Sequence, residues 1–210
     1  MMRPGDALAA ARAGADAVGM VLHSKTKRLI DIERARQIVQ ALPPFVGAIG
    51  MFVDAEAKFI VETARSLGLA AVQLCGQEPP ELAAALAPLP VIKAIAVNAN
   101  LGENLNRWKK VKLLGLLLDS ATGGSGQVND WEAIASLDRS DLPPLIVAGG
   151  LSPSNVADVV RKLRPWAVDV SSGVEARPGE KSAELIEQFI AAVRLAEAAE
   201  AADRNSHRPE

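Results

Sequence analysis

The 210-residue sequence contains no tyrosine, and aromatic residues make up only 3 % of it. A core must therefore be built from Ala, Val, Leu and Ile. There is one cysteine, Cys75, which excludes an intrachain disulfide framework. Beside it stand only two histidines, His23 and His207, so a zinc site has little to draw on. Basic surplus is also missing: 23 Lys and Arg face 25 Asp and Glu, a net charge of −2. That leaves little to neutralise a run of phosphates, so no nucleic-acid partner is expected. No stretch reaches the roughly 18–20 uninterrupted apolar residues of a membrane helix. The apolar first twenty residues are broken by Asp6, Arg12 and Asp16, and no small-residue cleavage site follows, so they do not read as a signal peptide. What is present is a hydrophobic fraction of 49 % with 23 % charged residues, an ordinary globular balance. The expectation is a cytoplasmic protein with one domain over residues 1–200 and a polar, fraying tail over 201–210.

Short apolar runs recur along the chain: Ala17 to Leu22, Val46 to Val53, Ala71 to Leu74, Val91 to Val97, Leu113 to Leu118, Leu145 to Ala148 and Ala167 to Val170. Most are continuously apolar rather than alternating, as suits parallel strands buried on both faces. Amphipathic stretches lie between them. Ile32 to Leu42 carries a helical apolar stripe and ends at Pro43-Pro44, while Ala55 to Leu67 ends at Gly68, a C-cap glycine. Ser152-Pro153 reads as an N-cap and first helical residue before Asn155 to Leu163. A last helix is expected from Ser182 to about Ala199.

Strand–helix alternation makes an α/β fold. The first run lacks the G-x-G-x-x-G turn of an open nucleotide-binding sheet. Glycines cluster instead after the last three runs, where a closed barrel places a phosphate site. The expected fold is thus a (β/α)8 TIM barrel of the phosphate-binding type. Eight helices stand against seven strands because a helix, about Pro4 to Ala13 and capped by Gly14, precedes the first run. On this reading the barrel's first strand is missing from the chain.

Several residues could carry chemistry. Asp119 closes the run Leu113 to Leu118 at a strand's C-terminal end, where barrel enzymes place catalysis. A carboxylate walled by apolar residues can act as a general acid, although the same residue could equally cap a turn. Gly149-Gly150 and Ser171-Ser172-Gly173 offer backbone N–H and hydroxyl donors to a phosphate, against the plain alternative of loop chemistry. Arg28, in His23-Ser24-Lys25-Thr26-Lys27-Arg28, could hold a carboxylate or belong to a solvated basic loop. Lys93 and Asp169 fall inside apolar runs and could pair across the barrel interior. Cys75 also ends a run, though a lone cysteine is more often a small packing residue.

In sequence order, these pieces resemble the phosphoribosylanthranilate isomerases. The likeness rests on Gly14-Ala15-Asp16-Ala17-Val18-Gly19, Leu42-Pro43-Pro44-Phe45-Val46, Ala71-Val72-Gln73-Leu74 and Val91-Ile92-Lys93-Ala94. It continues through Leu117-Leu118-Asp119, Gly123-Gly124-Ser125-Gly126 with Asp130-Trp131, Ala148-Gly149-Gly150-Leu151, and Val168-Asp169-Val170-Ser171-Ser172-Gly173-Val174-Glu175. The resemblance implies an Amadori rearrangement of a phosphoribosylated anthranilate, with no metal or organic cofactor. It implies that Asp119 protonates the ring oxygen and that Arg28 holds the anthranilate carboxylate. Gly149, Gly150, Ser171, Ser172 and Gly173 would hold the phosphate. The implied partner is a small phosphorylated substrate, with the protein a monomer or homodimer.

Three departures accompany the likeness. The family's opening strand carries a general-base cysteine in Lys-x-Cys-Gly, two residues before the position of Met1, which suggests a start called too far downstream. The 210 residues alone are therefore expected to be inactive. Cys75 stands where the family usually has histidine, and Asn129 replaces an aromatic residue before Asp130-Trp131. Alternative expectations are a degenerate barrel that binds a phosphorylated ligand without turnover, or a sister barrel enzyme such as indoleglycerol-phosphate synthase.

Overall fold

In the computed structural model, which describes residues 1–120 and 131–206, seven parallel strands form one sheet in sequence order. These are β1 (Ala17–His23), β2 (Gly47–Phe52), β3 (Ala71–Leu74), β4 (Val91–Val97), β5 (Gly115–Ser120), β6 (Leu145–Val147) and β7 (Ala167–Val168). Helices α1 (Pro4–Ala13), α2 (Ile32–Ala41), α3 (Ala57–Leu67), α4 (Pro80–Ala85), α5 (Leu101–Trp108), α6 (Trp131–Ala135), α7 (Val156–Leu163) and α8 (Ala183–Ser206) precede, link and follow them. The curled sheet with helices outside is the expected (β/α)8-barrel type of fold. Among the described residues β1 and β7 do not pair with each other. The Met1 α-amino group instead donates to the Gly19 carbonyl of β1.

Two apolar layers follow from strand periodicity. Val18, Met20, Ala48, Phe52, Val72, Leu74, Val91, Ile95, Leu116 and Leu118 pack outward under the helices. Ile92, Leu117 and Ala148, with Ile49, Ala94 and Ile146, fill the interior. The interior layer is wholly aliphatic, and Phe52 is the one aromatic side chain among these outer-layer strand residues.

Helix ends explain the boundaries. Asp31 caps α2, accepting from the Arg34 N–H at 2.7 Å, and Gly68 ends α3 in the left-handed region, as expected. The reading of Pro153 as the first residue of α7 is corrected: the helix starts at Val156 behind Asn155. The Ser152 side chain makes no helix cap; its carbonyl accepts from the Asn155 and Val156 N–H groups instead. The last helix also runs further than expected, through Ser206, in keeping with its Ala- and Glu-rich composition. A two-stranded hairpin, β8 (Glu175–Arg177) with β9 (Glu180–Lys181), stands after β7. No described helix is long and apolar enough to cross a membrane.

Candidate active site

The site assembles at the C-terminal ends of the strands. Asp119 lies two residues beyond Leu117 and so shares its inward face. It is half-buried and sits opposite Ala96 of β4. Asp169 follows β7, its N–H held by the Val147 carbonyl at 2.9 Å. Its surface still meets solvent, but protein atoms crowd it on most sides. That crowding first, and the negative charge of Asp119 second, raise the Asp169 carboxyl above the ordinary aspartate range. The two aspartates are therefore close enough for their charges to interact.

The expected pairing of Lys93 with Asp169 is not found. Lys93 shares the face of Val91 and Ile95, toward the helices, whereas Asp169 belongs to the interior. Its ammonium binds the Glu78 carboxylate at 2.6 Å and the Gly76 carbonyl at 2.8 Å, 5.5 Å from the centre of the Trp108 ring. Both side chains of this pair are buried. Burial drives the Glu78 carboxyl up, but the bond and charge of Lys93 and the Asp54 N–H outweigh it and hold it below the usual range; the Gly76 N–H also donates to it at 2.8 Å.

The loop after β1 folds back on its strand, with the Ile30 N–H on the Val21 carbonyl at 3.1 Å. Lys25 and Lys27 remain in solvent, but Arg28 turns in and donates to Glu175 at 3.1 Å, so the loop is not uniformly solvated. Arg28 thereby reaches the segment that follows Ser171–Gly173.

The two glycine-containing loops interlock. Gly149 and Gly150 hold φ of 81° and 67°, in the left-handed region that glycine tolerates. The Asn155 side chain clamps this loop, donating to the Gly150 carbonyl at 2.8 Å and accepting from the Ser152 N–H at 2.8 Å. Gly173 sits so close that a Cβ on it would lie 1.8 Å from the Leu151 carbonyl oxygen. Gly173 and the serines before it are thus held against the Gly149–Ser152 loop.

Cys75 follows β3 with the Gln73 amide on its sulfur at 3.2 Å. Burial pushes its thiol up to about 12, so it stays protonated near neutral pH. A cavity of about 130 Å³ opens beside it, lined in part by Glu78, Lys93, Asn104 and Trp108. A larger one, about 270 Å³, lies at the opposite end of the strands around Pro144 and Trp166, away from this chemistry. The Gly123-Gly124-Ser125-Gly126 run, Asn129 and Asp130 lie outside the described residues, as does His207.

A family model described as N-(5'-phosphoribosyl)anthranilate (PRA) isomerase matches residues 1–192. The chain belongs to this family. A PRA isomerase of Myxococcus xanthus is 43 % identical over 199 residues, covering 91 % of this chain and 92 % of that one. A crystal structure of the Thermotoga maritima enzyme superposes with a TM-score of 0.85 at 42 % identity, covering 92 % of this chain and 95 % of that chain. A solved PRA isomerase in complex with reduced 1-(o-carboxyphenylamino)-1-deoxyribulose 5-phosphate gives 0.82 at 40 % identity, over 92 % of this chain and 95 % of that one. The expectation that the 210 residues would be inactive gains no support from these relatives. Sequence reasoning assigned no role to Glu175 and Lys181 of the PRA isomerase hairpin, although Pro178-Gly179 between them is a turn signal.

Proposed function

We propose that this PRA isomerase converts N-(5'-phosphoribosyl)anthranilate to 1-(2-carboxyphenylamino)-1-deoxyribulose 5-phosphate at the mouth of its barrel, in tryptophan biosynthesis. Arg28 receives the anthranilate carboxylate and the loops at Gly149-Gly150 and Ser171-Ser172-Gly173 receive the phosphate. Asp119 protonates the furanose ring oxygen; the C1–O bond breaks and the nitrogen lone pair forms the C1=N⁺ Schiff base. Loss of the C2 proton to a base gives an enolamine, which ketonises at C2 as C1 takes up a proton. We do not assign Cys75 as that base, because burial holds its thiol in the protonated form. Atoms and electrons balance without a cofactor, so none is invoked.

The observation that supports this reading is the Arg28–Glu175 bond, which joins loops 147 residues apart and brings the arginine to the segment that follows Ser171–Gly173. The substrate has one anion at each end. We read residues 1–200 as one barrel domain, acting in the cytoplasm as a monomer or homodimer with no nucleic-acid partner.

Ser172→Asp tests the phosphate assignment by placing a negative charge in the proposed phosphate cradle. By calorimetry, the reduced product analogue should bind at least about tenfold more weakly, while anthranilate alone changes little. An equal loss for both ligands would remove the phosphate from this loop.

A further inference from the structure

We propose that Glu175 is a positioning residue that aims the Arg28 guanidinium at the substrate carboxylate, an inference that rests on the reading of Arg28 given above. The Glu175 side chain is 6 % exposed and lies between two cations. One oxygen accepts from Arg28 at 3.1 Å and the other from Lys181 at 3.0 Å. Burial drives its carboxyl up, but the bonds and charges of Lys181 and Arg28 outweigh it and hold the group ionised below the usual glutamate range.

Lys181 is itself fixed. It is the register partner of Glu175 across the β8–β9 hairpin, and its backbone N–H donates to Asp6 of α1 at 3.3 Å. Its ammonium also donates to the Ser171 carbonyl at 2.7 Å. In a trans peptide group the C=O and N–H point to opposite sides. Holding the Ser171 carbonyl therefore turns the Ser172 N–H away from Lys181.

Glu175 thus has a rigid anchor on one side and a long, half-buried arginine on the other. Only one Arg28 nitrogen is engaged by Glu175 among the described residues, so the guanidinium keeps donors for a second carboxylate. Two cations around one carboxylate leave a net positive charge, which the anthranilate carboxylate completes. Without Glu175, Arg28 would face the repulsion of Lys181 and lose its fixed direction. Lys181 would keep its bond to Ser171, so the phosphate end should be spared.

The test is calorimetry on the full-length protein with two ligands: the reduced product analogue and the same molecule lacking the ring carboxylate. Glu175→Gln should weaken the carboxylated analogue about tenfold and the decarboxylated one less than about twofold. In an Arg28→Ala background, Glu175→Gln should have no further effect. Glu175→Asp keeps the charge and should recover part of the lost affinity. Equal losses on both ligands, or full additivity with Arg28→Ala, would overturn the proposal. If Arg28→Ala alone does not discriminate between the ligands, the assignment of Arg28 fails instead. Should Glu175→Gln not fold, Glu175→Asp carries the same comparison; failure of both to fold would mark Glu175 as purely structural and overturn the proposal.

Discussion

Asp119, Asp169 and Lys93 all lie in or at the ends of apolar strands, and the face each takes decides what it meets. Asp119 follows Leu117 into the interior, and the proposed acid role rests on that face. Asp119→Asn keeps the shape but removes the proton donor. Turnover by the full-length enzyme should fall about 10²–10⁴-fold, with binding of the reduced product analogue within a few-fold of the parent. Near-parental turnover would transfer the acid role elsewhere. Lys93 takes the other face, and its pair with Glu78 is almost fully buried. Glu78→Ala leaves a buried ammonium without its counter-charge and should cost about 3–5 kcal/mol in urea denaturation. A Glu78→Leu, Lys93→Met double variant should recover much of that loss; a still larger loss would show that the pair is net stabilising. The carboxyls of Glu78 and Glu175 are both held below the unfolded value, about 4.3. Their contribution is therefore complete above that value and fades as pH falls through the lower folded pKa values. Stability should drop on acidification below pH ~4, and less steeply in the double variant.

Between the segments that follow β6 and β7, backbone packs directly on backbone at Gly173, beside the buried side chains of Leu151 and Val174. Gly173→Ala would drive a methyl into the Leu151 carbonyl. Separating the two loops should cost about 1–3 kcal/mol of stability and weaken inorganic phosphate and the product analogue together. Unchanged phosphate affinity in a destabilised variant would show that the interlock shapes the fold but not the cradle. This contact has no sequence signature beyond the glycine itself, whereas the strands around it were legible. β3 and β4 occupy the spans of their apolar runs, because strands buried on both faces leave continuous hydrophobic stretches. β7 is shorter than its run, Ala167 to Val170, since it pairs with β6 alone among the described strands. Asp119, Arg28 and the glycine loops were readable as single candidates. The partners of Lys93 and Arg28 were not, because one depends on which of two strand faces a residue takes and the other spans 147 residues. The β8–β9 hairpin was hidden by its polarity: Glu175, Arg177, Glu180 and Lys181 give no apolar run, and ion pairs hold it.

Across the whole molecule, side chains and the chain start bridge the two ends of the sheet. Arg28 from beyond β1 reaches Glu175 beyond β7, Arg3 before α1 binds Glu180 at 2.8 Å, and Asp6 holds the Lys181 N–H. A ligand with its carboxylate on Arg28 and its phosphate on Ser171–Gly173 would add one more tie along the same line. Melting experiments cannot reveal such a tie, because mass action depends only on saturation. At ten times its Kd any ligand adds about 1.4 kcal/mol. Hydrogen exchange can reveal it, since sub-global opening is resolved amide by amide. At matched saturation, the product analogue, anthranilate and inorganic phosphate should raise global stability equally. Only the analogue should slow exchange at both ends of the sheet together, at the N–H groups of Ile30 and Asp169, which bond to Val21 and Val147. Phosphate alone should protect the Asp169 end, and anthranilate alone the Ile30 end. Equal protection of both ends by phosphate would mean that the ends open as one unit already, with the fold's own ion pairs sufficient to couple them.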